Sequence, residues 1–295
     1  MSTTISPIPR IGPTPDETSA LPAIGGIEIA GIDLAEPLSQ ERRDWILRTF
    51  RTHPVMVFRD QHLTKQQQYD FTLLFGEIEG LHVNRHLDAE KYTPVHTVSN
   101  LTRDGKPSAQ PNERGNYFWH SDKSYHDVPS LMTMLHGVEI PPRGGETQFA
   151  NMTMAYAALD DATKSRLTDL RAVHGWERSR IQSGSPPATE EMKRERPPVD
   201  HPIVRTHPGT GEKSLYLGNH ASHIVGWPEA EGRALIRWLE NFATQPRFVY
   251  SHRWRKGDLA MWDNRCTLHR ALVHENMANE PRVLHRTVVK GTVPV

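Results

Sequence analysis

Residues 247–264 read RFVYSHRWRKGDLAMWDN, a strand-like run of apolar and aromatic residues closed by the turn-forming pair Asp263-Asn264. Working outward, runs of the same kind recur through the C-terminal two thirds: TPVHTVSN (93–100), LMTMLHGVEI (131–140), ETQFANM (146–152), HPIVRTHP (201–208), KSLYLG (213–218) and VLHRTVVKGTV (283–293). Only two helical stretches interrupt them, at 154–170 and 229–242. Many short strands separated by Pro and Gly turns predict a mostly β fold with flanking helices, a sandwich or barrel of jelly-roll type. They argue against an alternating βαβ sheet.

The N-terminal third is more helical. GIEIAGIDL (26–34) alternates as a strand does, and SQERRDWILRTFRTH (39–53) then reads as a helix with Ser39 as N-cap and Trp45, Ile46 and Phe50 on one side. VMVFRD (55–60) is a short strand; LTKQQQYDFTLLFGEI (63–78) is a second helix, capped by Thr64 and stopped at Gly76. Residues 1–22, rich in Pro, Ser and Thr, read as a flexible arm, and residues 23–295 as a single domain. The polar, Pro-punctuated stretch 177–201 is either a lid or a solvated insertion.

Composition excludes several classes of function. Apolar residues make up 36% of the 295-residue chain and charged residues 24%, the balance of a soluble globular protein. Lys plus Arg and Asp plus Glu each number 35, so no overall field favours nucleic acid or a membrane surface, and a charged ligand must be captured locally. The N-terminus lacks a signal-peptide pattern and nowhere do about 18 apolar residues run together, which predicts a cytoplasmic protein. The one cysteine, Cys266, cannot form an internal disulfide or a thiolate cluster, so any metal is held by nitrogen and oxygen.

The chemistry concentrates in WHSDKSYH (119–126). Side chains at i and i+2 of a strand share a face, so His120 and Asp122 can present an imidazole and a carboxylate together. His269, close behind the turn at Asp263-Asn264, supplies a third candidate ligand. Two imidazoles and one carboxylate with open positions are the ligand set of non-haem Fe(II) oxygenases. Arg282 and Arg286 in PRVLHR fall on one face of the next strand; two guanidiniums facing a pocket call for anions, and the Thr147 hydroxyl in GGETQF can join them. Lys123 reads as a solvated charge. His126, His136, His174, His252, His274 and His285 read as structural or exposed. PRGGET (142–147) lacks the spacing and helix of a phosphate loop.

Taken in order, FGEIEGLH, WHSDKSY, IPPRGGETQFANM, HPIVRTHPGTGEKSLYLGNHASHIVG, WDNRCTLHR and PRVLHRTVVKG resemble the taurine dioxygenase and 2,4-dichlorophenoxyacetate dioxygenase family of Fe(II)/2-oxoglutarate enzymes. The resemblance implies a double-stranded β-helix, a jelly roll with helices outside. By it the metal ligands fall on His120, Asp122 and His269, and the far carboxylate of 2-oxoglutarate falls on Thr147 and Arg282. Arg286 would face the acidic group of the substrate, with His82 and Asn116 as further pocket residues. The implied reaction consumes O2 and 2-oxoglutarate, releases succinate and CO2, and hydroxylates a small anionic organic substrate such as a sulfonate, sulfate ester or aryloxyalkanoate. Bond cleavage follows where the new hydroxyl sits beside sulfur, oxygen or nitrogen. Asp122 argues for hydroxylation over halogenation, which needs a small residue there. A homo-oligomer, dimer to tetramer, is expected, with no nucleic acid and no membrane as partner. A zinc-type hydrolase at the same three ligands and a non-catalytic jelly-roll binding protein are the competing readings.

Overall fold

The computed structural model describes residues 18–21, 24–79, 94–109 and 114–295. Its largest sheet has seven strands, in the spatial order Thr18–Leu21, Gly26–Ile29, Val55–Phe58, Leu259–Asp263, Ser130–Glu139, Val283–Lys290 and His96–Ser99. All neighbours run antiparallel except Gly26–Ile29 and Val55–Phe58. A second sheet places Thr147–Asn151 between Val249–His252 and Thr267–Ala271. Two smaller sheets complete the chain: Ala221–Ile224, Arg171–His174 and Val199–Pro202, and the pair Lys213–Leu215 with Val204–Thr206. Sheet-on-sheet packing with helices outside is the jelly roll that the short strands predict.

Side-chain alternation explains the layers. Val55 and Val57, Ala260 and Trp262, and Leu135 point inward from the large sheet and meet Phe149 of the second sheet, all buried in one cluster. Their neighbours Met56 and Phe58, Leu259 and Met261, and Met132 and Met134 point the other way, onto Ile46, Phe50 and Phe71 of the helices Gln40–Thr52 and Lys65–Thr72. A strand covered on both faces carries an unbroken apolar run, which is why Val55–Phe58 is buried at every position. A third cluster joins the second sheet, through Ala150 and Leu268, to Ile236, Leu239 and Ala243 of the helix Glu229–Ala243.

Both N-terminal caps form as the sequence predicts. The Ser39 hydroxyl accepts from the Arg42 amide at 3.3 Å. Thr64 accepts from the Gln67 amide at 3.2 Å while the Gln67 side chain accepts from the Thr64 amide at 2.9 Å, a reciprocal capping box. Thr64→Ala is expected to destabilise the fold by about 1 kcal/mol, read as a lower denaturant midpoint at unchanged slope.

Several boundaries differ from the sequence reading, each for a local reason. Residues 154–170 form two helices, Met152–Ala157 and Asp161–Leu167, because the Asp160 carboxylate accepts from the Thr163 amide and starts a new helix. Residues 247–264 form two strands, separated at Gly257, whose φ of +86° and close approach to the Gln61 carbonyl exclude a side chain. Thr18–Leu21, inside the stretch expected to be an arm, pairs with Gly26–Ile29. Residues 177–201 carry structure of their own: the helices Trp176–Gln182 and Glu190–Glu195, with Arg180 and Arg196 stacked on the Trp176 ring at 4.7 and 4.4 Å. Among the described residues no helix is long and apolar enough to cross a membrane.

Candidate active site

The second sheet and the large sheet hold a cavity of about 150 Å³ between them, and the candidate ligands line one wall of it. His269 lies on Thr267–Ala271, and a two-residue bridge ties it to His120: each amide donates to the other's carbonyl, at 3.0 and 2.8 Å. The two rings stand 4.1 Å apart. Asp122 completes the group, with its carboxylate oxygens 4.0 Å from His120 Nε2 and 3.8 Å from His269 Nε2. All three residues are buried, and their ligand atoms lie within 4.8 Å of one another.

Strand alternation is not what brings His120 and Asp122 together. Only His120 makes a β-bridge; the chain then turns, with Lys123 at φ +53°. Asp122 is instead placed by Asn264, one of the residues that close the Leu259–Asp263 strand. The Asn264 side-chain oxygen accepts from Trp262 Nε1 and from the Asp122 amide, at 3.1 and 3.3 Å. Its amide nitrogen donates to Thr133 Oγ1 at 3.0 Å, so the Thr133 hydroxyl hydrogen is left for Asp122 Oδ2, 2.5 Å away. Sequence reading recognised Asn264 only as a turn residue and did not find Thr133. A buried threonine on a central strand carries no signal of this role by itself.

Protonation suits metal binding. Burial works against the Asp122 carboxylate, yet Arg286, the two imidazoles and the Thr133 hydroxyl outweigh it and hold its pKa well below the usual range. Burial, and then His120, push the His269 imidazole well below its ordinary value, so it is neutral at pH 7. His120 Nδ1 lies 2.8 Å from the Phe118 carbonyl, which places the proton on Nδ1 and the lone pair on Nε2, toward Asp122. Two imidazoles and one carboxylate are a donor set that fits a divalent iron.

Further along the same cavity stand Thr147, Arg282, Arg286 and Asn116. Arg282 Nε donates to the Gly145 carbonyl at 3.0 Å, and its own amide donates to Asn100 Oδ1 at 2.8 Å. Its Nη2 is buried with no partner among the described residues. Burial lowers the Arg282 pKa to about 10, against Tyr117 and Glu146, and the group stays cationic at neutral pH. Thr147 Oγ1 accepts from Trp254 Nε1 at 3.0 Å, so its own hydrogen is available to a ligand. A buried guanidinium with an orphaned donor beside such a hydroxyl fits the far carboxylate of a dicarboxylic acid. Arg286 Nη2 pairs with Asp122 Oδ1 at 2.5 Å, and Nη1 lies 3.5 Å from His96 Nε2.

His96 is a pocket residue that the sequence reading missed. It lies opposite Arg286 in the pairing of His96–Ser99 with Val283–Lys290, a register that only the folded sheet reveals. Burial, and next Arg286, lower its pKa to about 3, so it faces the cavity as a neutral ring. Tyr117 also lines the cavity, whereas Phe118 and Trp176 are not among its lining residues. His82 lies outside the described residues. Lys123 is not a free surface charge: its ammonium pairs with the Glu79 carboxylate. His136, His174 and His252 are buried away from the cavity, but His274, expected to be structural, lines it.

A second close group, His207, Asp263 and Cys266, has other partners. His207 Nδ1 accepts from the Gly209 and Thr210 amides at 3.2 and 3.1 Å, so Nε2 carries the hydrogen that Asp263 accepts at 3.0 Å. Arg265 takes the same carboxylate at 2.5 Å, and burial pushes the Cys266 thiol well up. This group is a structural network.

The profile of the taurine catabolism dioxygenase TauD, TfdA family matches residues 17–288. The chain belongs to that family. Over 250 residues it is 43% identical to the alpha-ketoglutarate-dependent 2,4-dichlorophenoxyacetate dioxygenase of Cupriavidus pinatubonensis, covering 82% of this chain and 87% of that one. It is 33% identical to the (S)-phenoxypropionate/alpha-ketoglutarate-dioxygenase of Sphingobium herbicidovorans, covering 84% of each. A solved structure of AAD-2 in complex with Mn(II) and N-oxalylglycine superposes with a TM-score of 0.88 at 38% identity, covering 94% of this chain and 98% of that one. The protein is an oxidoreductase of the dioxygenase class, and the TauD, TfdA family uses Fe(II), 2-oxoglutarate and O2.

Proposed function

We propose that the protein hydroxylates a small organic anion, an aryloxyalkanoate or another carboxylic acid, a sulfonate or a sulfate ester, in an Fe(II)- and 2-oxoglutarate-dependent reaction that yields succinate and CO2. His120, Asp122 and His269 would hold the iron, Thr147 and Arg282 the far carboxylate of 2-oxoglutarate, and Arg286 the acidic group of the substrate. When bound, iron and 2-oxoglutarate together supply the two-electron oxidation of a C–H bond by O2.

The observation that carries the substrate class is the charge lining the cavity. Arg282 and Arg286 line the cavity with Asp122; a bound Fe(II) would raise the positive charge there to four, against the single negative charge of the carboxylate. The 2-oxoglutarate dianion offsets two of the remaining three, and a monoanionic substrate offsets the last. His96 and His269 stay neutral and change nothing in this balance. Asp122 Oδ1 pairs with Arg286 at 2.5 Å, while Oδ2 accepts from Thr133. A cation sharing that carboxylate weakens its hold on the guanidinium and turns Arg286 toward another anion. Leu135, Trp262, Ala271 and Met277 give the cavity an apolar side, where the carbon skeleton of the substrate would rest clear of water. A zinc-type hydrolase has no use for Thr147 and the orphaned Arg282 donor, and in a non-catalytic binding module the close grouping of His120, Asp122 and His269 would be incidental.

The role of the chain is placement. Asn264 and Thr133 fix Asp122, the Phe118 carbonyl fixes His120, and the bridge to His269 sets the spacing of the two rings. Anaerobic Fe(II) and 2-oxoglutarate are expected to produce the weak visible charge-transfer band of the chelate; a folded protein that shows none would end the proposal. Across a panel of aryloxyalkanoates, sulfonates and sulfate esters scored by succinate release, Arg286→Met is expected to lower kcat/KM roughly a hundredfold while leaving the anaerobic band in place. Turnover stimulated only by neutral or cationic compounds would assign Arg286 elsewhere. A cytoplasmic homo-oligomer, dimer to tetramer, belongs to the same proposal, and sedimentation would read its size.

A further inference from the structure

The cavity has a second orphaned polar group beside Arg282. His274 is 2% exposed and lines the cavity, and among the described residues neither of its ring nitrogens has a hydrogen-bond partner. Its nearest carboxylate, Glu280, stands 4.0 Å from Nδ1, beyond hydrogen-bond reach. A buried imidazole with both nitrogens unmet is costly, and such a group calls for an explanation.

The pair Gly144-Gly145 explains how His274 comes to lie next to Arg282. Both glycines have positive φ, +74° and +72°. A side-chain carbon on Gly144 would stand 2.8 Å from His274 Cβ, and one on Gly145 would stand 3.1 Å from Arg282 Cδ and Nε. The turn therefore seats the two residues against consecutive glycines, and the Gly145 carbonyl grips Arg282 Nε at 3.0 Å. Asn100 fixes the connecting loop: its Nδ2 donates to the carbonyls of Met277 and Glu280, both at 2.9 Å, and its Oδ1 accepts from the Arg282 amide. Two buried polar side chains with unmet nitrogens are thus held rigidly at one end of one cavity. The glycine pair that lacks a phosphate-loop pattern has this steric use instead.

We propose that His274 is a second donor to the far carboxylate of 2-oxoglutarate, binding it through a ring N–H alongside Arg282 and Thr147. This rests on the assignment of Arg282 and Thr147 given above. A dicarboxylate end has two oxygens and about four acceptor positions, more than one guanidinium and one hydroxyl occupy. The His274 pKa lies below its usual value because of burial and then Arg282, with Glu280 opposing, so the ring adds no second buried cation before the ligand arrives. A neutral imidazole keeps one N–H in either tautomer, which is enough for one hydrogen bond to a carboxylate. The ring therefore recognises the five-carbon diacid at its far end and has no part in recognising the 2-oxo acid end.

The test separates those two ends. Dissociation constants are measured anaerobically on the Fe(II)-loaded protein for 2-oxoglutarate and for 2-oxopentanoate, which has the same chain length and no far carboxylate. His274→Leu, which fills the site without a donor, is expected to reduce the preference for 2-oxoglutarate about tenfold, the size of one hydrogen bond to a charged group, with 2-oxopentanoate unchanged. His274→Asn or His274→Gln, which keep an N–H near one ring nitrogen or the other, is expected to recover most of that preference. Equal weakening of both keto acids in His274→Leu would overturn the proposal, because it would mean a loosened loop. An unchanged preference in His274→Leu, with Arg282→Leu still lowering it, would remove His274 and leave the Arg282 assignment standing. An unchanged preference in both variants would remove both. Should the leucine variant fail to fold, the asparagine and glutamine pair still decides: a preference lost from both overturns the donor.

Discussion

Asp122→Ala is expected to reduce turnover on the order of a thousandfold or more and to abolish the anaerobic charge-transfer band, with the protein still folded. The argument starts from what the carboxylate does in the structure. It is the acceptor for the Thr133 hydroxyl, the counter-ion of Arg286, and the closest anion to both imidazoles. Without it a bound iron would keep only two imidazole ligands, and the charge that would offset the metal would be gone. Arg286 also loses its 2.5 Å pair with that carboxylate. Asp122→Asn keeps the shape but not the charge. It is expected to retain the folded stability of the parent more closely than alanine while losing nearly as much activity, because neutral amide oxygen is a poorer ligand for a hard cation than carboxylate. The thermal midpoint, read beside iron content, separates loss of ligand from loss of fold. Iron content and turnover within tenfold of the parent in the alanine variant would show that the carboxylate is not a ligand.

The three proposed ligands could be picked out of the sequence because the chemistry that marks them is local. His120 and Asp122 are two residues apart, and His269 sits in the short stretch WDNRCTLHR just behind the Asp263-Asn264 turn. The reason first assigned to the pair was nevertheless incorrect: a turn, not a strand, carries Asp122, and Asn264 aims it through Thr133. That information resides in a contact across more than a hundred residues of chain, and residue spacing does not contain it. His96 was missed for the same reason. Its partner Arg286 lies in a strand 190 residues later, and only sheet register places them opposite each other. Lys123 misled because strand alternation would point it away from Asp122 as a solvated charge, whereas it lies in a turn and pairs with Glu79 across the fold. Helix caps, by contrast, were read correctly at Ser39 and Thr64, since a cap depends on residues three apart. Helix continuity through 154–170 was not, because Asp160 was not recognised as a new cap. Local hydrogen bonds are written in short stretches of sequence; the residues that aim a catalytic group are written in the topology.

Arg282→Leu is expected to raise the KM for 2-oxoglutarate roughly a hundredfold or more, the cost of losing a buried, charge-assisted pairing with a carboxylate. Its effect on the unliganded protein should be small, and the contrast is the informative result. Without a ligand, Arg282 is a cation held against its desolvation, with Nη2 buried and unpartnered and its pKa lowered to about 10. Replacing such a group with an apolar one of similar reach relieves that desolvation, which offsets the loss of the Nε hydrogen bond to the Gly145 carbonyl, worth about 1 kcal/mol. The Arg282 backbone amide keeps its bond to Asn100, so the loop stays anchored. The unliganded thermal midpoint should therefore change little. The liganded one should change a great deal: at a hundred times its dissociation constant 2-oxoglutarate stabilises the parent by about 2.7 kcal/mol, and at the same concentration it would add only about 0.4 kcal/mol to a variant binding a hundredfold more weakly. Thermal melts with and without 2-oxoglutarate, on iron-loaded protein without O2, read this difference directly. A variant that loses stability without ligand and keeps the ligand-induced shift would show Arg282 to be a structural cation and would require another group to hold the diacid.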